Sequence, residues 1–338
     1  ARTGEIHGFL LERTRATLSA VGGAVETTVV ETAVEGRSPR QIFWIRFRQD
    51  RAAFVGGVVV IILVLLAAFA GVISHDIIGH GPNQVFPQAQ DDFGIPVGPN
   101  STFWFGADGF GRDLFVRVLY GARTSLLVAA IATTISMTVG VTIGVIAGYY
   151  RGFVDTIVMR LSDVVLALPQ LLLAIGIAAS CGQTATGCLD GVVQPGLSLV
   201  IFVISAFTWP YIARIVRSTT LSLREKEFVE AARSLGASNT RIIFREILPN
   251  LVAPITIWAT LLIPSNILFE AALSFLGLGV PIDTPSWGQA LSDASNGGLY
   301  KDAPWLMIFP GIFLVLTTLA FNLLGDGLRD ALDPRSER

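Results

Sequence analysis

The chain has 338 residues, of which 52% are hydrophobic and only 15% charged. Soluble domains carry about 25% charged residues, so this composition indicates an integral membrane protein. The formal net charge of −2 argues against a nucleic-acid-binding protein, which is normally basic.

Residues 1–51 are predicted to form an N-terminal arm, because no apolar run there is long enough to span a membrane. Residues 41–50 alternate aromatic with basic side chains. This pattern predicts a short helix at the inner membrane surface, with Phe43, Trp44 and Phe47 toward lipid. For residues 1–36 a disordered tail is the open alternative.

Six uncharged segments are candidates to cross a bilayer, which requires about 20 residues in a helix. They are residues 52–73, 124–150, 164–180, 196–213, 251–269 and 303–324. The first segment and a long outer loop make up residues 52–120, and a core of five spans makes up residues 121–326. The sequence therefore predicts an all-α integral membrane protein with six transmembrane helices.

Basic residues give the orientation of these spans. With six crossings, the arm, the second and fourth loops and the C-terminal tail at 327–338 share one side. Of the 24 Lys and Arg, only Arg112, Arg117, Arg123 and Lys301 lie on the other side. Because basic residues concentrate on the cytoplasmic side, both termini are predicted to be cytoplasmic.

Two outer loops contain local structural signals. Residues 112–120 carry apolar side chains on one helical face, which predicts a helix on the outer membrane surface. Residues 280–302 are predicted to form a re-entrant or capping hairpin, with Trp287 and Trp305 at interfacial depth.

Cys181 and Cys188 share the short second outer loop with Gly182 and Gly187. An oxidising outer face and a flexible loop favour a disulfide between them, and two free thiols are the alternative.

Small residues and prolines interrupt the spans. Gly140, Gly144 and Gly148 are spaced four apart, which predicts a smooth face where another helix packs closely. Pro169 and Pro264 break the third and fifth spans, and such breaks are tolerated only where the freed carbonyls face protein or water. Repeated breaks favour a transporter.

Charged residues near the spans have more than one interpretation. Arg160 and Asp163, three apart before the third span, are predicted to pair. Glu270, near the outer end of the fifth span, is predicted to be a gate, a substrate contact or a solvated boundary charge.

Enzymatic motifs are absent from the sequence. No phosphate-binding Gly-x-x-x-x-Gly-Lys-Ser/Thr motif occurs, so the chain has no ATP site of this kind. His7, His75 and His80 lie outside the spans, which argues against a metalloprotease or a proton relay within the membrane. The sequence predicts no catalytic, metal or cofactor site.

The loop at residues 218–250 is the longest charged passage between spans. Ser222 and Glu225 form a capping-box pattern that predicts a helix start, and Gly236 is placed to end that helix. A second helix is predicted to resume at Thr240 and to stop before Pro249. The loop is thus a predicted helix, glycine elbow and second helix, with an ordinary amphipathic surface loop as the alternative.

This loop resembles the EAA motif of permeases in ATP-binding-cassette (ABC) importers, in which the first helix docks into a cleft of the ATPase. The residues that carry this resemblance are Glu230, Ala231, Ala232, Gly236, Leu248 and Pro249. Other segments resemble the C-type permease of dipeptide and oligopeptide importers: 105–108, 111–113, 120–123, 148–149, 273–279, 287–288 and 319–334. The resemblance covers roughly residues 40–334.

The resemblance implies a type I ABC importer permease fold and alternating access in the plasma (inner) membrane. It implies a heterodimer with a homologous permease, two ATPase subunits that bind ATP and Mg, and an extracytoplasmic binding protein that delivers peptide. Import of nickel or another small solute by the same machine is an alternative, and a secondary transporter without an ATPase is a further one.

Overall fold

The computed structural model of the chain describes residues 39–182, 193–194 and 196–332. Within these residues, five helices are long and apolar enough to cross a membrane, and a bent pair of shorter helices adds a sixth crossing when counted as one. The prediction of an all-α fold with six crossings is therefore confirmed. The predictions for residues 1–38, Cys188 and 333–338 lie outside the described residues.

The main helices follow one another in the order of the predicted spans. They are α1 (Pro39–Gln49), α2 (Arg51–Ala68), α3 (Leu114–Tyr150), α4 (Gly152–Ala167), α5 (Gln170–Gly182), α6 (Leu197–Arg224), α7 (Glu227–Ser234), α8 (Leu248–Phe275), α9 (Trp287–Ser295) and α10 (Trp305–Leu332). Short turns occur at Ala70–Val72, Pro87–Ala89, Asn239–Arg241 and Asn296–Lys301, and π-helical segments at Ile73–Ile78 and Ile242–Ile247.

Helix α3 begins ten residues before the predicted second span. Asp113 caps it, because its side chain accepts hydrogen bonds from the N–H groups of Phe115 (2.9 Å) and Val116 (3.3 Å). The predicted surface helix at 112–120 is therefore wrong: these residues form the buried start of α3. Arg117 interrupts the apolar run in sequence, yet its side chain is only 2% exposed and pairs with Asp108 at 3.3 Å.

The third crossing is broken. Helices α4 and α5 meet at 83°, so the break predicted at Pro169 in the third span is confirmed. Pro169 lacks an N–H and disfavours helical backbone at the residue before it, and Leu168 is indeed extended (φ −79°, ψ 139°).

The loop predicted at residues 218–250 is shorter than expected. Helix α6 continues to Arg224, so Ser222 lies inside it and does not start a new helix. Pro249 does not stop the second helix either, since one helix runs over Asn239–Phe275. The π-helical segment accommodates the proline: the N–H of Leu248 bonds to Ile243, five residues back, and Pro249, which needs no donor, follows directly.

The long helices lie side by side, so the bundle that they form has two ends. Gly140 and Gly148 of α3 lie against Ile212 and Thr220 of α6, so these two helices are parallel. Helix α8 is antiparallel to α3. We call the end with residues 225–238 the elbow end and the end with residues 74–113 and 276–304 the loop end.

The segment at 280–302 contains α9, a short helix that packs inside the loop end. Trp287 is fully buried and its Nε1 donates to the carbonyl of Val118 at 3.1 Å. Trp287 is thus packed inside the protein, and its predicted interfacial depth stays a prediction. Gly288 permits this packing, because a Cβ there would overlap the backbone of Ala271.

Candidate functional site

The elbow after α7 is a helix end of the Schellman type. Gly236 has φ +80°, and its N–H bonds to Arg233 while that of Ala237 bonds to Ala232, both at 3.0 Å. Apart from its two chain neighbours, no described residue has an atom within 4 Å of a Cβ built on Gly236. Glycine is therefore required by the left-handed backbone and not by crowding.

The two faces of α7 differ in burial. Val229 is fully buried and Ala232 is half-buried in an apolar cluster with Ile242 and Ile247. The opposite face exposes Ala231 together with Phe228 (40% exposed) and Leu235 (88% exposed). Of the two alanines that carry the resemblance, Ala231 thus faces outward and Ala232 packs inward. Glu230 is exposed beside them.

Tyr149 joins the elbow to the end of α3. Its hydroxyl donates to Asn239 Oδ1 at 2.8 Å, and its backbone carbonyl accepts from Arg224 Nη1 at 2.7 Å. Its ring is 4% exposed and belongs to the apolar cluster that buries Val229. Tyr149 thus contacts α6, the apolar cluster that packs against α7, and the start of the helix that leads into α8. The sequence offered only the Gly148–Tyr149 resemblance as a signal for it.

Ion pairs attach α4 to α6 at the elbow end. Arg217 binds Asp155 through two hydrogen bonds, the longer of 2.6 Å, and Arg214 pairs with Asp163. The predicted pair between Arg160 and Asp163 is present only as an exposed 4.0 Å contact, so the main partner of Asp163 is Arg214. Because the Arg217–Asp155 contact is bidentate, it fixes the orientation of the two side chains as well as the distance between them.

The glycines of α3 lie so close to α6 that a side chain at any of them would overlap atoms of α6. A Cβ on Gly140 would lie 2.6 Å from Ile212 Cβ, and one on Gly144 2.7 Å from the carbonyl oxygen of Ala213. One on Gly148 would lie 2.8 Å from Thr220 Cβ. Helices α3 and α6 therefore touch along this row with no space for side chains.

Leu248 and Pro249 lie beside a groove. The groove has a volume of about 540 Å³ and runs between α3 and the helix that leads into α8. Leu248 lines it, together with Tyr150 and Phe244, whereas Pro249 is exposed.

Glu270 is fully buried within α8. Its carboxylate accepts hydrogen bonds from Ser125 Oγ of α3 and from Ser274 Oγ, both at 2.7 Å. The interpretation of Glu270 as a solvated boundary charge is therefore wrong. The carboxylate links α3 to α8 near the loop end.

A cluster of buried charges holds the loop end together. Arg112 pairs with Asp108 at 2.7 Å and approaches Asp293 of α9 at 3.5 Å. Asp113, which is 1% exposed, contacts His80 Nδ1 at 2.6 Å. Burial raises the pKa of Asp293, against the opposing effect of its hydrogen bond from Gln289 and of the arginines.

Cys181 lies in the last turn of α5. It is 3% exposed and is not a free thiol. Cys188 lies outside the described residues, so the pairing between these two cysteines stays a prediction.

Two family models match the chain. Residues 140–338 match the binding-protein-dependent transport system inner membrane component, and residues 38–93 match the N-terminal transmembrane domain of oligopeptide transport permease C.

Individual proteins are similar over most of the chain. The dipeptide transport system permease protein DppC of Alkalihalophilus pseudofirmus is 40% identical, over 88% of this chain and 90% of that protein. The glutathione transport system permease protein GsiD of Escherichia coli is 41% identical, over 88% and 91%. A chain from an inward-facing structure of the MetNI methionine ABC transporter superposes with a TM-score of 0.52 at 18% identity, over 65% of this chain and 98% of that one. This last likeness concerns the fold.

Proposed function

Because this chain belongs to the family of binding-protein-dependent transport system inner membrane components, we propose that it forms half of the path of an ATP-driven importer for di- and oligopeptides. The similar permeases named for dipeptide and glutathione transport support this substrate class, since glutathione is itself a small peptide. A homologous permease supplies the other half of the path.

The elbow end faces the cytoplasm in this proposal. Arg214, Arg224, Lys226, Arg233 and Arg241 lie at or near it, and basic residues concentrate on the cytoplasmic side of membrane proteins. The loop end then faces outward, where a binding protein delivers the peptide.

The observation that carries the proposal is the exposed apolar face of α7. Leu235 and Phe228 project from a short helix beyond the end of the bundle, where no other described residue covers them. An amphipathic helix with anchors of this kind binds by laying its apolar face into a groove of a partner. The partner is an ATPase subunit, which binds the ATP and Mg, and a second ATPase serves the other permease.

Force passes from α7 into the bundle through contacts already described. Movement of α7 displaces Val229 and the cluster around it, and Tyr149 connects that cluster to α3. The glycine row and the Arg217–Asp155 pair then couple α3, α6 and α4. By linkage, the outer-loaded state and the ATP-closed state favour each other.

The substrate is tested by identifying what the cognate binding protein holds, followed by uptake into proteoliposomes that contain both permeases and both ATPases. Bound peptide and ATP-dependent peptide uptake are the expected results. Bound nickel or another small solute would contradict the peptide assignment and leave the permease role intact.

Docking is tested by Leu235→Asp, which is expected to abolish co-purification of the ATPases, because it places a charge in an apolar contact. Phe93→Asp is the matched control, since Phe93 is equally exposed (89% against 88%) but lies at the loop end. ATPase retention by the Leu235 variant would contradict the docking role of α7.

A further inference from the structure

A second cleft lies where the third crossing is broken. It has a volume of about 160 Å³ and is bounded by the break between α4 and α5, by α6 and by α8. Its polar lining consists of Gln170, Thr208, Tyr211, Ser265 and Asn266.

The break ends the hydrogen-bond ladder of α4 beside this cleft. Helix α4 ends at Ala167, and its last carbonyls have no intrahelical donor, because α5 departs at 83° instead of continuing the helix. Such groups within a membrane bundle persist only beside protein or a water-filled path. Gln170, the first residue of α5, donates only a long bond of 3.5 Å to the carbonyl of Phe207.

Several side chains in the cleft have unused hydrogen-bonding capacity. Asn266 is 3% exposed, and its Nδ2 donates to Thr133 Oγ1 at 2.9 Å. Among the described residues, its Oδ1 and the hydroxyls of Tyr211 and Ser265 accept or donate no hydrogen bond within the chain, and the Oδ1 is not one of the buried unpaired side-chain atoms, so it is open to the cleft. These groups are therefore available to hydrogen-bond a ligand or water in the cleft.

The lining is polar but uncharged. Of the residues that the structure describes, no Asp, Glu, Lys, Arg or His lines the cleft, and the remaining walls are apolar: Leu166, Ile204, Phe207, Leu262 and Phe269. Amide and hydroxyl groups pair with other amides, and an uncharged site does not select the charge of a ligand side chain. This chemistry suits a peptide main chain, which is the same in every peptide.

The size of the cleft limits what it holds. A water occupies about 30 Å³ of liquid, so 160 Å³ corresponds to about five waters, well below the roughly 300–1,000 Å³ of complete small-molecule sites. The cleft therefore accommodates about one amino-acid residue and leaves the rest of a ligand to the partner permease.

We propose that this cleft is a half-site for the transported peptide, in which Asn266, Ser265, Tyr211 and Gln170 bind the main-chain amide groups of one residue. The proposal rests on the proposed function, since it concerns a peptide in transit. It names contacts of this chain that the importer role alone does not specify.

The test uses Ser265→Cys in the complete transporter, in nanodiscs and without nucleotide. Ser265 is exposed, so the substitution is compatible with folding. We expect a small thiol reagent to label this cysteine, and millimolar dipeptide to slow the labelling at least threefold. The unsubstituted chain gives the background of Cys181 and Cys188, and Thr256→Cys, an exposed hydroxyl position on the same helix, is expected to show no protection.

Uptake provides the second measurement. Asn266→Leu and Tyr211→Phe each remove hydrogen-bonding groups, and we expect about three- to tenfold lower peptide uptake than with Thr256→Ala, the control. Failure of labelling at Ser265→Cys, absence of protection, or unchanged uptake in both variants would overturn the half-site. If the unaltered transporter takes up no peptide at all, the proposed function fails instead.

Discussion

The hydroxyl of Tyr149 donates to Asn239 Oδ1 at 2.8 Å and so joins the last turn of α3 to the first turn of the helix that leaves the elbow. The two residues are 90 positions apart in sequence, and Tyr149 is almost fully buried while Asn239 is exposed. In the proposed function, this contact transmits movement of the elbow to the bundle.

Tyr149→Phe is expected to lower the number of peptides imported per ATP hydrolysed, because it removes this hydrogen bond and keeps the ring. The loss of stability is expected to be only about 0.5–1.5 kcal/mol. Uptake and ATP hydrolysis measured together in proteoliposomes check it. Tyr150→Phe is the control, since Tyr150 is 53% exposed and has no such hydrogen bond among the described residues. Equal coupling in the two variants would exclude Tyr149 as the connection.

Gly236→Val is expected to abolish peptide-stimulated ATP hydrolysis while the chain still inserts into the membrane. A β-branched residue at φ +80° costs about 1–3 kcal/mol locally, so the elbow unwinds or re-aims α7. Gly236→Asn is expected to retain activity, because Asn tolerates the left-handed region. Gly311→Val is the matched control in open space on α10. Normal stimulation in Gly236→Val would refute the role of the elbow.

Glu270→Ala is expected to destabilise the chain by about 2–4 kcal/mol, because it leaves two buried hydroxyls without an acceptor and opens a cavity. Glu270→Gln keeps an acceptor and is expected to cost less than half as much. Thermal unfolding in detergent measures both, with the exposed Asp92→Asn as a control that changes stability by less than about 0.5 kcal/mol. A loss of stability in Glu270→Ala as small as that in Asp92→Asn would contradict the stabilising role of the Glu270 carboxylate.

Asp293 is expected to make stability depend on pH. Burial raises the pKa of Asp293, so the folded chain favours its protonated form. Its contribution to stability is therefore complete below the pKa of an unfolded Asp, about 4, and is lost as pH rises through the higher folded value. Asp293→Asn should remove this slope in the unfolding midpoint measured from pH 4 upward. Asp283→Asn, at an exposed position, should keep it; an unchanged slope in Asp293→Asn would contradict the assignment.

Much of the fold was predictable from sequence because a membrane span is a local property. An apolar run of sufficient length must cross as a helix, whatever its neighbours are. The left-handed turn at Gly236 was predictable for the same reason, since a glycine after a helical pattern ends it locally.

The errors arose where distant residues compensate for a local signal. Arg117 is buried in a crossing helix because its guanidinium has partners there. It pairs with the Asp108 carboxylate at 3.3 Å and donates to Asn83 Oδ1 at 2.9 Å. Glu270 is buried because Ser125, 145 residues away, donates to it. Periodicity contains no information about such partners. Pro169 indicated a break, but the angle of 83° depends on the packing of α4 against α6.

Helix α3 has 37 residues and is therefore about 55 Å long, nearly twice the roughly 30 Å of a bilayer's hydrocarbon core. It is capped by Asp113 within the charge cluster at one end and is bonded to the elbow through Tyr149 at the other. A rigid rod of this length acts as a lever. A tilt of about 5° about one end displaces the opposite end by about 5 Å, so a small rotation at the elbow end becomes a large displacement at the loop end.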